Sequence, residues 1–159
     1  MRVALVAPRR QRRGGELRSR RLAEALRRRG HEPIEIYLYP PRPDAGLGPG
    51  VDEVCLDGRE GGGMERLGLD PPTARRLRRV VADRGAEIVQ VSGGKTLAYA
   101  ALTLCRETAG PRLVYRSIGE PDAWFRNRRH RWLYATWVYP RVAAALSPTS
   151  SGGSPTTSE

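Results

Sequence analysis

Metal-binding residues are scarce in this chain. Two cysteines and two histidines are spread over 159 residues, and neither Cys55, Cys105, His31 nor His130 has a partner at metal-ligand spacing. A zinc ribbon, a zinc finger and a disulfide framework are therefore excluded. Both cysteines lie among apolar residues and read as buried thiols, which suits a cytoplasmic protein. No apolar run approaches the roughly 20 residues that cross a bilayer. The short run after Met1 reads as a strand, so no signal peptide is expected. Two phosphate-loop signatures are also lacking. No GxGxxG follows the first apolar run, and Gly93-Gly94-Lys95-Thr96 is only the end of a P-loop, because Val89 stands where its first glycine belongs. No repeat, helix-turn-helix or zinc pattern is present.

Arginine, by contrast, is abundant. Lysine plus arginine totals 28, Lys95 is the only lysine, and the net charge is +11. Genomic base composition and selection for a basic surface both produce such a skew. Whatever its origin, the charge favours anionic partners: phosphosugars, lipid headgroups or nucleic acid.

Strand and helix patterns alternate along the chain. Arg2–Ala7 is a continuous apolar run suited to a parallel strand buried on both faces. After an arginine-rich loop closing on Gly14-Gly15, residues 16–29 place Leu22, Ala25 and Leu26 at helical spacing, with the arginines mostly outward and Gly30 as C-cap. Glu32–Leu38 turns Ile34, Ile36 and Leu38 inward as a second strand. Pro40–Gly50 is a loop, Val51–Leu56 a short strand, and a glycine-rich stretch runs through Gly63. Asp70-Pro71 starts a helix, Asp as N-cap and Pro at the first helical position, with Ala74, Leu77 and Val80 or Val81 inside.

Ile88–Val91 then reads as a strand, Ser92-Gly93-Gly94 as a turn, and Lys95–Glu107 as an apolar helix. A strand over Arg112–Ile118, a helix over Arg128–Arg141 and a strand over Val142–Leu146 complete the pattern. It predicts a single α/β domain over residues 1–146, a Rossmann-like, mostly parallel sheet with helices on both faces. Ser147–Glu159, composed of Ser, Thr, Gly and Pro before its final acid, is expected to be disordered.

With these pieces placed, four segments carry a family resemblance. They are RVALVAP with Gly14-Gly15-Glu16, then Leu22–Leu26 and Arg29–Glu32; Ala86–Lys95; Leu113–Pro121; and Val142–Pro148. In this order the chain resembles the N-terminal domain of GT-B fold glycosyltransferases of family 4 type. The resemblance implies the acceptor-binding half of an enzyme that moves a sugar from a nucleotide-sugar to a hydroxyl of a sugar or lipid-linked acceptor, with retention at the anomeric carbon. It implies no cofactor beyond the nucleotide-sugar as co-substrate. In such enzymes a C-terminal domain holds the donor and carries a pair of spaced glutamates. That domain is expected to be absent here, so the chain is expected to be inactive alone, a truncated product or one half of a split enzyme. The chain departs from the family in having Gln90, Ser92 and Ile118 where many relatives carry histidines, and no catalytic residue is assigned.

Several residues are candidates for ligand contact. Glycine at 14 and 15 lets backbone amides approach a phosphate, and a helix start adds its dipole; the resemblance places this loop at the donor diphosphate, against the plainer reading of a flexible connection. Ser92, Gly93, Gly94 and Lys95 form a second such helix start, suited to acceptor or phosphate contact. Glu120 and Asp122 follow a strand, where they would bond acceptor hydroxyls or merely cap a loop.

Arg75, Arg76, Arg78 and Arg79 crowd one helix, and Trp124–Tyr139 interleaves arginines with Trp132, Trp137 and Tyr139. Both compositions suit an anionic membrane surface, or equally a solvated face over packed aromatics. Two other functions stand beside the transferase: a stand-alone binding module for a phosphorylated small molecule, and a basic nucleic-acid binder. The first helix offers the latter no aromatic side chain for base stacking.

Overall fold

A computed structural model of the chain describes residues 1–43, 46–59, 70–104, 110–116, 132, 134–142 and 144–146. The elements run β1 (Arg2–Arg9), α1 (Gly14–Arg28), β2 (Glu32–Tyr39), β3 (Glu53–Cys55), α2 (Pro71–Asp83), β4 (Ile88–Ser92), α3 (Gly94–Leu104), β5 (Arg112–Arg116) and β6 (Ala144–Leu146). A π-helical turn at Tyr134–Val138 and a 3-10 turn at Tyr139–Arg141 precede β6. The strands form one sheet in the order β3-β2-β1-β4-β5-β6. Every pairing is parallel. The expected α/β architecture is therefore present, with the strand order of a doubly wound sheet.

That order places the helices. From β1 the chain steps one way through α1 to β2; from β4 it steps the other way through α3 to β5. Because such crossovers are right-handed, the two steps put their helices on opposite faces. Val3 and Leu5 of β1 pack with Ala23 of α1. Ala4 and Val6, facing the other way, join Leu77 and Val81 of α2 and Leu97, Ala100, Ala101 and Leu104 of α3. Every residue from Val3 to Ala7 is buried, as the continuous apolar run requires.

Local details differ from the sequence expectation. Gly14 and Gly15 belong to the first turn of α1 rather than to a loop before it, and the helix ends at Arg28. Its inner face is also rotated. Glu16, Ser19 and Ala23 are the buried positions, while Leu22, Ala25 and Leu26 are half-buried. On α2, Thr73, Leu77 and Val81 are buried, with Ala74 and Val80 partly so.

Of the helix expected over 128–141, Trp132 is α-helical, but Tyr134–Arg141 is not. Pro140 has no amide hydrogen, and its ring crowds the carbonyl four residues back at Thr136, so the chain widens into a π turn and then tightens. Cys55 is half-buried rather than buried, and burial still pushes its thiol up. Cys105, Glu120, Asp122, Ile118, the 124–131 stretch and residues 147–159 lie outside the described residues.

Candidate functional site: a cationic cleft at the strand ends

The order of the sheet reverses between β1 and β4, so the connections leaving these two neighbours diverge and open a crevice at their C-terminal ends. A cleft of about 470 Å³ lies there, within the size range of small-molecule sites. Its walls come from both connections: Gln11, Arg13, Gly14, Gly15 and Glu16 from the start of α1, and Ser92, Gly93, Gly94 and Lys95 from the start of α3, with Arg18 and Arg116 alongside. The structure thus brings together two groups of expected site residues separated by nearly eighty positions.

Each helix start faces the cleft with open donors. In α1 the first intrahelical bond runs from the Leu17 amide to the Arg13 carbonyl, 2.9 Å, so the amides of Gly14, Gly15 and Glu16 precede the ladder. Arg13 occupies the N-cap position and makes no capping side-chain bond. A Cβ at Gly14 would meet nothing within 4 Å, so no protein neighbour requires glycine there. In α3 the first bond runs from the Leu97 amide to the Gly93 carbonyl, 3.1 Å.

Gly93 is the single residue between β4 and α3, and its φ of 88° is a conformation that a side chain strains. Thr96 Oγ1 donates back to the Ser92 and Gly93 carbonyls at 2.6 and 2.9 Å. From the π turn, Tyr134 donates its hydroxyl to the Gly94 carbonyl at 2.8 Å; burial pushes this phenol up to about 12.

Charge differs between the two ends of the sheet. At the N-terminal ends two arginines are paired, Arg2 with Glu32 at 3.0 Å and Arg84 with Asp52 at 3.1 Å. At the cleft, Arg13, Arg18 and Arg116 form no ion pair with any described residue. The one carboxylate there, Glu16, is 7% exposed and accepts from Gln11 Nε2 at 3.2 Å. Lys95 holds its ammonium 4.9 Å from the ring centre of Tyr39 at the end of β2, and Arg9 approaches the same ring at 5.7 Å. An acid in the first helical turn is favoured by the helix dipole, but it leaves the cleft lining strongly positive.

A second polar group, not anticipated from the sequence, anchors α1. Glu35, 1% exposed in β2, accepts from Arg20 Nε at 2.7 Å and from the Tyr37 hydroxyl at 2.9 Å. Burial by itself would lower the Arg20 pKa, but hydrogen bonds with Tyr37 and Glu35, together with the Glu35 charge, raise it overall. Arg20 also lies 3.5 Å from Glu53, which pairs with Arg10 of the β1–α1 connection at 2.8 Å. These contacts fix the connection that carries the cleft wall. Arg20 is thus an inward residue, not one of an outward arginine set.

Arg75, Arg76, Arg78 and Arg79 of α2 are exposed and opposite its buried stripe, so they share one face. Arg76 donates to the Leu56 carbonyl at 2.7 Å. None of the four belongs to the cleft lining. No group of three metal-ligating side chains occurs among the described residues, and no helix among them is long and apolar enough to cross a membrane.

Fold and cleft define a doubly wound α/β domain with a cationic crevice at its switch point. The model of glycosyltransferase family 4 matches residues 12–152, and the chain belongs to that family. A comparison with curated proteins finds no match.

Proposed function

We propose that residues 1–146 are the acceptor-side half of a GT-B glycosyltransferase, in which the cleft brings an acceptor hydroxyl to the sugar of a nucleotide-sugar. One observation carries the reading: two helix starts, one with two adjacent glycines and no side-chain cap, face the same cationic cleft in a chain of this family. The amides of Gly14 and Gly15 would take the donor diphosphate, an anion that helix dipole and arginines both favour. The Ser92–Lys95 turn would hold the acceptor. Chemistry needs the donor's sugar pressed against that acceptor from the far side, so turnover requires a second, donor-binding domain, on this or another polypeptide. The arginine face of α2 would rest on an anionic membrane and bring lipid-linked acceptors near.

Calorimetric titration of the 159-residue chain with UDP, GDP and their sugars tests the reading. Binding of one nucleotide diphosphate, weakened by Gly14→Ala, is expected, without sugar transfer by this chain. No binding of any nucleotide, or turnover by the chain alone, would refute the respective half of the proposal.

A further inference from the structure

We infer that residues 46–50 form a strap that latches one wall of the cleft and opens locally, releasing the β1–α1 connection when it does. The inference goes beyond the transferase reading and stands whatever ligand the cleft takes.

The strap reads Gly46-Leu47-Gly48-Pro49-Gly50 and runs between β2 and β3 without regular secondary structure. Three glycines in five positions leave the backbone a freedom that only contacts remove. Leu47 is half-buried, and the rest of the hold is polar. Arg20 Nη1 donates to the Gly48 and Pro49 carbonyls at 3.1 and 3.2 Å, and the Gly50 amide donates to Glu53 Oε2 at 2.7 Å. Val51, next in the chain, is 86% exposed, so no apolar anchor backs these bonds at that end.

Glu53 also ties the strap to the cleft. Its Oε1 accepts from Arg10 Nη1 at 2.8 Å, and Arg10 immediately precedes Gln11 in the cleft wall. The side chains of this pair are 21% and 15% exposed with the strap closed. Lifting the strap removes the Gly50 amide from the carboxylate and admits water to the pair, and a solvated ion pair holds little.

Closure carries a penalty of its own. Arg10 Nε, Arg20 Nη2 and Glu35 Oε1 are buried without a hydrogen bond among the described residues. A Cβ at Gly50 would stand 2.7 Å from Glu35 Oε1 and 3.4 Å from Arg20 Nη2, so the strap closes directly over two of these atoms and needs glycine to do it. Buried polar atoms in that condition are costly, and water satisfies them once they are exposed. Opening therefore breaks three hydrogen bonds but hydrates the atoms beneath. That offset makes the strap a low-cost local opening rather than a part of the global unfolding unit.

Amide exchange followed by NMR and phenylglyoxal labelling of arginines, both on the 159-residue chain, read the two ends of the latch. In the parent, the residue-50 amide should exchange faster than the slowest amides of β1 by about 100-fold or more. Arg10 should label more slowly than Arg12, which is exposed and forms no ion pair with any described residue. Gly50→Ala sets a methyl group against Glu35 and should speed residue-50 exchange by about ten-fold or more, with Arg10 labelling rising relative to Arg12. Glu53→Gln should raise the same labelling ratio.

Exchange of the parent's residue-50 amide only at the rate of the β1 core overturns the inference, even where a variant fails to fold. So does an opened strap in Gly50→Ala with Arg10 still labelled at the parent's ratio to Arg12. An unchanged ratio in Glu53→Gln would show that the wall is held by other contacts, and the latch would be wrong.

Discussion

Two helices begin in this domain by opposite means. At α2, Asp70 accepts from the Thr73 amide at 3.2 Å and from its hydroxyl at 2.5 Å, and Pro71 opens the helix where a missing amide hydrogen does no harm. At α1, arginine stands at the cap position, no side chain closes the end, and two glycines follow. Glycine is among the poorest helix formers, and nothing packs where a Gly14 Cβ would go. The first helix start is built for stability. The second gives up local stability and leaves donors open to the cleft, as is expected where an external anion completes the cap.

If α1 is locally weak at its start, it must be held elsewhere, and the Arg20–Glu35 pair is the candidate. Replacing Arg20 by Leu leaves a carboxylate in β2 with neither charge compensation nor water. Loss of about 3 kcal/mol or more is expected, read from the urea midpoint. The double variant with Glu35→Gln should be less damaged than the two single losses added together. A loss below about 1 kcal/mol, typical of exposed pairs, would show that α1 is held by its few apolar contacts instead.

The cap at α2 offers a smaller effect on stability and none on ligand. Asp70→Ala should cost about 1 kcal/mol in thermal or urea unfolding and leave nucleotide binding untouched. Gly14→Ala should do the reverse. Stability should hold or rise by a few tenths of a kcal/mol, because the added methyl meets no neighbour, while binding of the nucleotide diphosphate weakens. Equal responses at the two helix starts would erase the distinction between them.

The start of α2 was legible in the sequence because its signals are local: Asp, Pro and an apolar stripe within one short segment. The glycines of α1 were visible too, but their place within the helix rather than before it was not, since no capping residue marks the boundary. Arg20 looked like every other arginine of α1. What singles it out is Glu35, fifteen residues away on a strand whose Ile34, Ile36 and Leu38 suggested one buried face. Between β1 and β3 that strand is buried on both faces, and Glu35 and Tyr37 occupy the face beneath α1.

Arg116 and the union of the two glycine turns depend on strand order, which periodicity does not encode. Pro140 was a readable signal against a continuous last helix. The family was legible from the spaced motifs, and the model match over 12–152 agrees with it.

The smallest expected effect concerns the outer face of α2, where the same helix that is capped for stability presents four arginines to solvent. Arg76 is engaged with the Leu56 carbonyl, so replacing it would disturb the end of β3 as well as the surface charge. Changing Arg75, Arg78 and Arg79 together leaves that bond in place. A basic residue at an anionic bilayer contributes about 1 kcal/mol, so three together give about 3 kcal/mol, weak and reversible adsorption that salt screens. The parent chain should co-sediment with vesicles containing phosphatidylserine at low salt, less at moderate salt, and not with phosphatidylcholine alone. The triple change to Gln should lose the anionic-specific fraction while unfolding at the parent's urea midpoint, within about 0.5 kcal/mol for exposed substitutions. A triple variant that sediments like the parent would place membrane attraction on another surface and leave this face of α2 simply solvated.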